Sequence, residues 1–272
     1  MSVIINGTTG ITSPGGDSSA ADNTVHGITV GLGAGSVASN VALGGSALVA
    51  NTTGATNVAV GYQALTANTI GSGNTALGYA SGTSITTGNS NTSVGINSLV
   101  TNATGSDNTA IGRRALRLNT ANSNTAVGSL ALDSNTTGTP NCAFGYQALY
   151  ANTTGVRNTA IGYTSLAANT TGIENTAVGF GTLYQATTGS FNNAFGSSDT
   201  IVGPALGNNL TGSYNNAFGN GALGNNNASY NSAFGHSALK QNTTGTPNSA
   251  FGYQALYNNT TGGNNIGIGY QT

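Results

Sequence analysis

The pentapeptide Asn-x-Ala-(Val/Ile/Leu/Phe)-Gly and its variants return along this chain at a nearly constant interval, and that interval constrains the fold more than any other feature. Copies begin at Asn40, Asn57, Asn74, Asn91, Asn108, Asn124, Asn141, Asn158, Asn175, Asn192, Asn215, Asn231, Asn248 and Asn265, with a degenerate copy at Asn23. The step is 17 residues, except for 16 from Asn108 to Asn124 and from Asn215 to Asn231, and 23 from Asn192 to Asn215. The consensus reads N-T-A-V-G-Y-x-A-L-x-x-N-T-T-G-x-x; Asn141, Gly145 and Leu149 in one unit, and Asn158, Gly162 and Leu166 in the next, are its structural positions.

A 17-residue unit is too short for a helix-turn-helix repeat. Thr, Val, Ile, Tyr and Phe favour strands, whereas Asn and Gly punctuate them and tolerate φ > 0. The expected fold is therefore all-β, a β-solenoid or β-roll of 17-residue coils. Residues 1–22 form an N-terminal attachment or cap segment, and residues 23–272 a rod of about fifteen units. Coils stacked ~4.8 Å apart would give a rod of roughly 70 Å. Identical residues then form ladders: the Asn ladder bonds along the axis, and the Val/Ile/Leu/Phe ladder joins the Leu ladder in the dry interior. On that reading the Phe residues at 195, 218, 234 and 251 widen the core of the C-terminal half.

Two large apolar residues per coil make a thin core for one chain. The expected assembly is a parallel homotrimer, with the small anchor Ala letting backbones approach. The 37% apolar content, held in phase, argues against disorder, although only 4% of residues are charged. A net charge of −1 offers nothing to a nucleic acid, and no run approaches the ~20 apolar residues of a membrane helix. The opening Met1-Ser2-Val3-Ile4-Ile5-Asn6 lacks the features of a Sec signal. The chain stops inside a unit at Tyr270-Gln271-Thr272, from which a removed C-terminal piece or a docked end is expected.

Runs such as residues 141–155, Asn-Cys-Ala-Phe-Gly-Tyr-Gln-Ala-Leu-Tyr-Ala-Asn-Thr-Thr-Gly, resemble repeats in bacteriophage tail fibres and related surface fibres. The anchor is similar to the head repeats of trimeric autotransporter adhesins, which are trimeric left-handed β-rolls of shorter period. The segment Ile5-Asn6-Gly7-Thr8-Thr9-Gly10-Ile11 resembles the N-terminus of phage fibre proteins. The resemblance implies a virion fibre involved in host attachment, joined through its N-terminus to other virion or baseplate proteins. It also implies contact with host surface polysaccharide and, in many such fibres, a self-cleaving C-terminal chaperone. The alternatives are a bacterial surface adhesin or extracellular matrix fibre, and an ice-binding solenoid. The Thr-Thr pairs count against the last, because they lie in Gly-closed turns rather than on a flat strand face.

No arrangement of catalytic groups is visible, and neither enzyme activity, a cofactor nor a metal site is expected. His26 and His236 stand 210 residues apart and read as repeat variants, Cys142 as an inert small residue. The acids are scattered. The run Gly31-Leu-Gly33-Ala-Gly35 mimics a phosphate loop without the strand–loop–helix context, and the Asn-x-Thr/Ser triplets read as turns. Three features are candidate receptor contacts. Arg113, Arg114 and Arg117, with Arg157 nearby, form a basic belt, either a solvated collar or a polysaccharide contact. The six-residue insertion that holds Asp199, Thr200 and Ile201 is either a binding loop or tolerated drift. Tyr62, Tyr79, Tyr146, Tyr163, Tyr253 and Tyr270 follow the anchor Gly, and corner packing is favoured over an outward stripe.

Overall fold

The computed structural model describes residues 31–197 and 203–272 in full and, before them, the backbone of the short strands β1 (Ile5–Asn6), β2 (Gly10–Ile11), β3 (Asn23–Val25) and β4 (Ile28–Gly31). From there each repeat contributes one strand of three or four residues, from β5 (Val41–Leu43) to β18 (Asn265–Ile268). Among these fourteen strands every consecutive pair is parallel, which gives a β-solenoid of about 13 turns. The register aligns repeat on repeat. Ala126 lies beside Ala143 and Ala143 beside Ala160. The 23-residue step leaves the alignment intact, with Asn193 beside Asn216.

The parallel stack begins at Val41 and not at the degenerate copy. β3, which contains Asn23, pairs antiparallel with β4, and β4 pairs antiparallel with β5. Within the proposed attachment segment, β1 and β2 form an antiparallel pair.

Backbone pairing continues outside the strands, which is why so short a strand suffices. Leu149 N–H donates to the Ser165 carbonyl at 3.0 Å, Ala151 to Ala167 at 2.9 Å and Thr153 to Thr170 at 2.9 Å. Each coil thereby satisfies the peptide groups of its neighbour, as buried backbone requires.

The interior differs from the sequence expectation. From β5 to β18 the residue two after the anchor Asn, nearly always Ala, is buried, and its neighbours on either side in the strand face outward. The core is built from that Ala, a second small residue such as Ala148 or Ser165, and the Leu ladder from Leu48 to Leu239. The Val/Ile/Leu/Phe ladder lies outside, with Ile111, Phe144, Ile161 and Phe251 all exposed. Phe195, Phe218, Phe234 and Phe251 stack on the surface at 4.7–5.0 Å and do not widen the core. The physical reason is volume. A coil of about 17 residues encloses one leucine per layer, and the strand facing it has room for a methyl group only. The anchor Ala is consumed inside its own coil, so it brings no second chain close, and the Leu ladder is not shared between chains.

Each coil also holds left-handed residues, and most of them are neither the glycines nor the asparagines that usually adopt this conformation. The twelve ladder leucines have φ between +49° and +53°. Such a conformation costs a non-glycine residue about 1–2 kcal/mol, which burial of a leucine, about 2 kcal/mol, offsets. The residue before the anchor and the residue two before the Leu are left-handed as well, for example Arg157, Gln147 and Thr164.

Two buried Asn ladders close the coils. The anchor Asn158 donates from Nδ2 to the Gly172 carbonyl at 2.8 Å, while its Oδ1 accepts from the backbone N–H of Asn175 at 3.0 Å. The turn Asn169 donates to the same Gly172 carbonyl at 3.1 Å and to Asn152 Oδ1 at 2.8 Å. Where the pattern breaks, an orphan results. Asn68 Oδ1 and Asn169 Oδ1 have no partner, because the next coil carries Ile85 or Ala186 in the turn position. Asn102 Oδ1 and Asn209 Oδ1 have none where the following coil is one residue short, since Asn119 and Asn226 turn their amides to the Ala121 and Ala228 carbonyls.

Ile85 has a compensating role. Its coil has Gly82 in place of the ladder Leu, and a Cβ at Gly82 would lie 3.0 Å from Ile85 Cδ1. The isoleucine fills the missing leucine's space from the adjacent corner. Gly82→Leu alone overpacks this layer and Ile85→Asn alone empties it. Each is expected to cost about 2 kcal/mol, and the double variant to recover most of both losses. A thermal denaturation double-mutant cycle measures the coupling; additive losses would exclude the exchange.

Candidate functional site

With the core assigned, the outward face of the sheet is the surface with the most distinctive chemistry. Three columns run along it. The first strand residue supplies Thr75, Thr92, Thr109, Thr125, Thr159 and Thr176, so one threonine column does occupy a flat strand face. The Thr pairs of the turns bond along the axis instead, as when Thr153 Oγ1 donates to the Thr170 carbonyl at 3.0 Å. The third strand residue supplies the aliphatic and Phe column. Beyond the anchor Gly runs the aromatic column.

The aromatic column faces outward, which corrects the expectation of corner packing. Tyr62, Tyr79, Tyr146, Tyr163, Tyr253 and Tyr270 are all exposed. Their rings stack in separate runs: Tyr62 on Tyr79 at 5.6 Å, Tyr146 on Tyr163 on Phe180 at 5.1 and 5.0 Å, and His236 on Tyr253 on Tyr270 at 5.3 and 5.2 Å. Offset stacking of this kind contributes about 0.5–1.5 kcal/mol per pair. Because the faces cover one another, an incoming ring finds an open face only where a run ends. A further run, Phe191–Tyr214–Tyr230, stacks at 4.8 and 5.1 Å on the corner before the anchor.

The basic belt is largely neutralised. Arg114 and Arg117 each make a two-pronged pair with the buried Asp133, at 3.0–3.1 Å and at 3.0 Å. The Asp133 hydrogen bonds raise the Arg114 guanidinium above its ordinary value. Arg157 pairs with Glu174 at 2.6 Å. These guanidiniums are engaged within the chain, and only the exposed Arg113, in the aromatic column between Ile96 and Ser129, points a charge outward from this cluster. Asp199, Thr200 and Ile201 lie outside the described residues, as does His26. Asn141, Gly145, Leu149, Asn158, Gly162 and Leu166 serve the coil as structural positions. Cys142 takes the threonine slot of its strand, and partial burial pushes its thiol pKa up, away from reactivity.

Among the described residues no group of three or more His, Cys, Asp or Glu is placed to hold a metal ion, and no helix is long and apolar enough to cross a membrane. Sequence reasoning missed one feature, a recess beside Phe180. It measures about 290 Å³ and is lined by Phe180, Tyr184, Pro204, Thr164, Gln185 and Asn208, among others. Only the break in period hinted at it. No protein-family model, curated protein or solved structure matches this chain.

Proposed function

We propose that the chain is a structural fibre protein, a phage tail fibre or fibre shaft involved in host attachment, assembled as a parallel homotrimer. The observation that carries this reading is the unpartnered apolar column of the sheet. It runs from Leu43 to Ile268 without a charged residue, and single chains seldom leave so long an apolar stripe to water. Fourteen rungs at ~4.8 Å make a face about 65 Å long and about 12 Å wide, on the order of 800 Å² per partner, the size of a standard interface. The ladders repeat at every rung, so parallel copies meet like against like along their whole length. This assembly uses the outer columns and not a shared leucine core. A regular, nearly uncharged rod suits a shaft, and the N-terminal segment is its proposed junction with other virion or baseplate proteins.

Sedimentation equilibrium tests the assembly. The wild-type chain is expected at three times 26.6 kDa, stable to heat and detergent. The variant Phe144→Glu with Ile161→Glu is expected to sediment as a folded monomer, because both residues lie outside the coil. A monomeric wild-type chain would exclude the reading. Genomic neighbours separate a virion fibre from a bacterial surface adhesin.

A further inference from the structure

One of the two three-ring runs in the column after the anchor Gly, Tyr146–Tyr163–Phe180, stops at Phe180, because the next coil places Ser197 in that slot. Phe180 is therefore stacked on one face only. Phe180 and Pro204 line a recess of about 290 Å³. Phe180 and Tyr184 line it and are 50% and 47% exposed. Among the described residues Tyr184 stacks on no other ring.

The remaining described lining is uncharged, with three polar side chains, Thr164, Gln185 and Asn208, beside Pro204 and two glycines. Asn208 is held by its Nδ2 bond to Asn225 Oδ1 at 2.9 Å, which leaves its Oδ1 open as an acceptor. The Thr164 hydroxyl and the Gln185 amide make no hydrogen bond within the described chain, so donors and acceptors line the recess. An aromatic face with a few neutral hydrogen-bonding groups suits a ligand with one apolar C–H face and a hydroxylated rim. A pyranose ring has both, its axial C–H groups lying against the negative face of the ring quadrupole. The volume is at the small end of the roughly 300–1,000 Å³ of ligand pockets, which limits the occupant to about one ring. With no cation among the described lining residues, an anionic sugar gains nothing over a neutral one.

From this geometry we infer that the recess at Phe180 and Tyr184 binds one neutral pyranose residue of a glycan. The inference deepens the attachment half of the fibre reading, and the two fail separately: sedimentation reads assembly, whereas sugar binding reads the recess.

Saturation-transfer NMR on the full chain tests it, with methyl glucoside, methyl galactoside, N-acetylglucosamine and sialic acid as probes. At least one neutral sugar is expected to give a saturable signal with a dissociation constant in the millimolar range, and sialic acid a weaker one. Phe180→Ala is expected to weaken binding at least tenfold. Because that change also removes the stacking partner of Tyr163, Tyr184→Ser is the second variant, expected to weaken binding similarly with an unchanged melting temperature. No saturable signal from any neutral sugar up to about 50 mM, or binding unaltered in a folded Tyr184→Ser chain, would overturn the inference.

Discussion

Gly145→Ala is expected to destabilise the rod by about 4 kcal/mol, at the upper end of what single substitutions do. Gly145 has φ +136°, and a Cβ there would lie 2.6 Å from the carbonyl carbon of Gly162 in the next coil and closer still to its oxygen. The neighbour is backbone, so nothing can swing aside. The two coils would have to separate, and the bonds between them would be lost, including that from Gly162 N–H to the Phe144 carbonyl at 2.8 Å. In a stacked array a failed interface also divides the molecule into two shorter stacks. The contrast is Gly73→Ser. Gly73 has φ +68°, and the nearest atoms to its Cβ would be 3.7 Å away. Ser90 and Ser123 adopt similar angles in the equivalent slot, so the cost should stay below about 1 kcal/mol. Thermal unfolding separates the two, and limited proteolysis near residue 145 locates the break. Equal losses would show that φ, and not the coil contact, sets the requirement for glycine.

The second large effect is expected at Asn158. Its replacement by alanine leaves the buried backbone N–H of Asn175 without the Oδ1 that accepts it at 3.0 Å, and removes the 2.8 Å bond to Gly172. An unsatisfied buried donor costs about 1–3 kcal/mol, and the space left behind adds to it. A total of about 4 kcal/mol is expected from denaturant titration. The Gly172 carbonyl itself keeps the turn Asn169 at 3.1 Å, which limits the loss. Asn158→Asp should be worse than alanine. It is nearly isosteric, but it sets a second acceptor against the Gly172 carbonyl and buries a charge with no cation beside it. A cost below 1 kcal/mol for the alanine variant would mean that the Asn ladder sets register without contributing stability.

Much of the fold was legible in the sequence. The period placed a strand at each anchor, the Asn of the anchor was expected to bond along the axis, and the Leu of each unit was expected in the interior; the second, short strand expected in each unit is a series of turns instead, because the coil must close around the Leu within 17 residues. The candidate site was less legible. The Arg cluster read as a basic belt, yet Asp133 lies 16 residues beyond Arg117, close to one period away, and so lands directly beside the two guanidiniums. A scattered acid in a repetitive chain becomes a neighbour once the coils stack. The recess at Phe180 is lined by residues of three successive coils, Thr164, Phe180 and Pro204 among them, which spacing across a 23-residue step does not reveal.

The sequence by itself determined the periodicity, the β class and the axial alignment of like residues, because any fold that stacks equal units brings equal positions together. Only the tertiary structure decided which face turned inward. Thr159-Ala160-Ile161 alternates, and hydrophobicity alone points the isoleucine to the core, yet Ala160 is buried and Ile161 is exposed. Closure of a 17-residue coil around Leu166 leaves space for one methyl group opposite it, so enclosed volume overrides side-chain hydrophobicity. Closure likewise forces Leu166 to φ +51°, a conformation that no local preference of leucine would select.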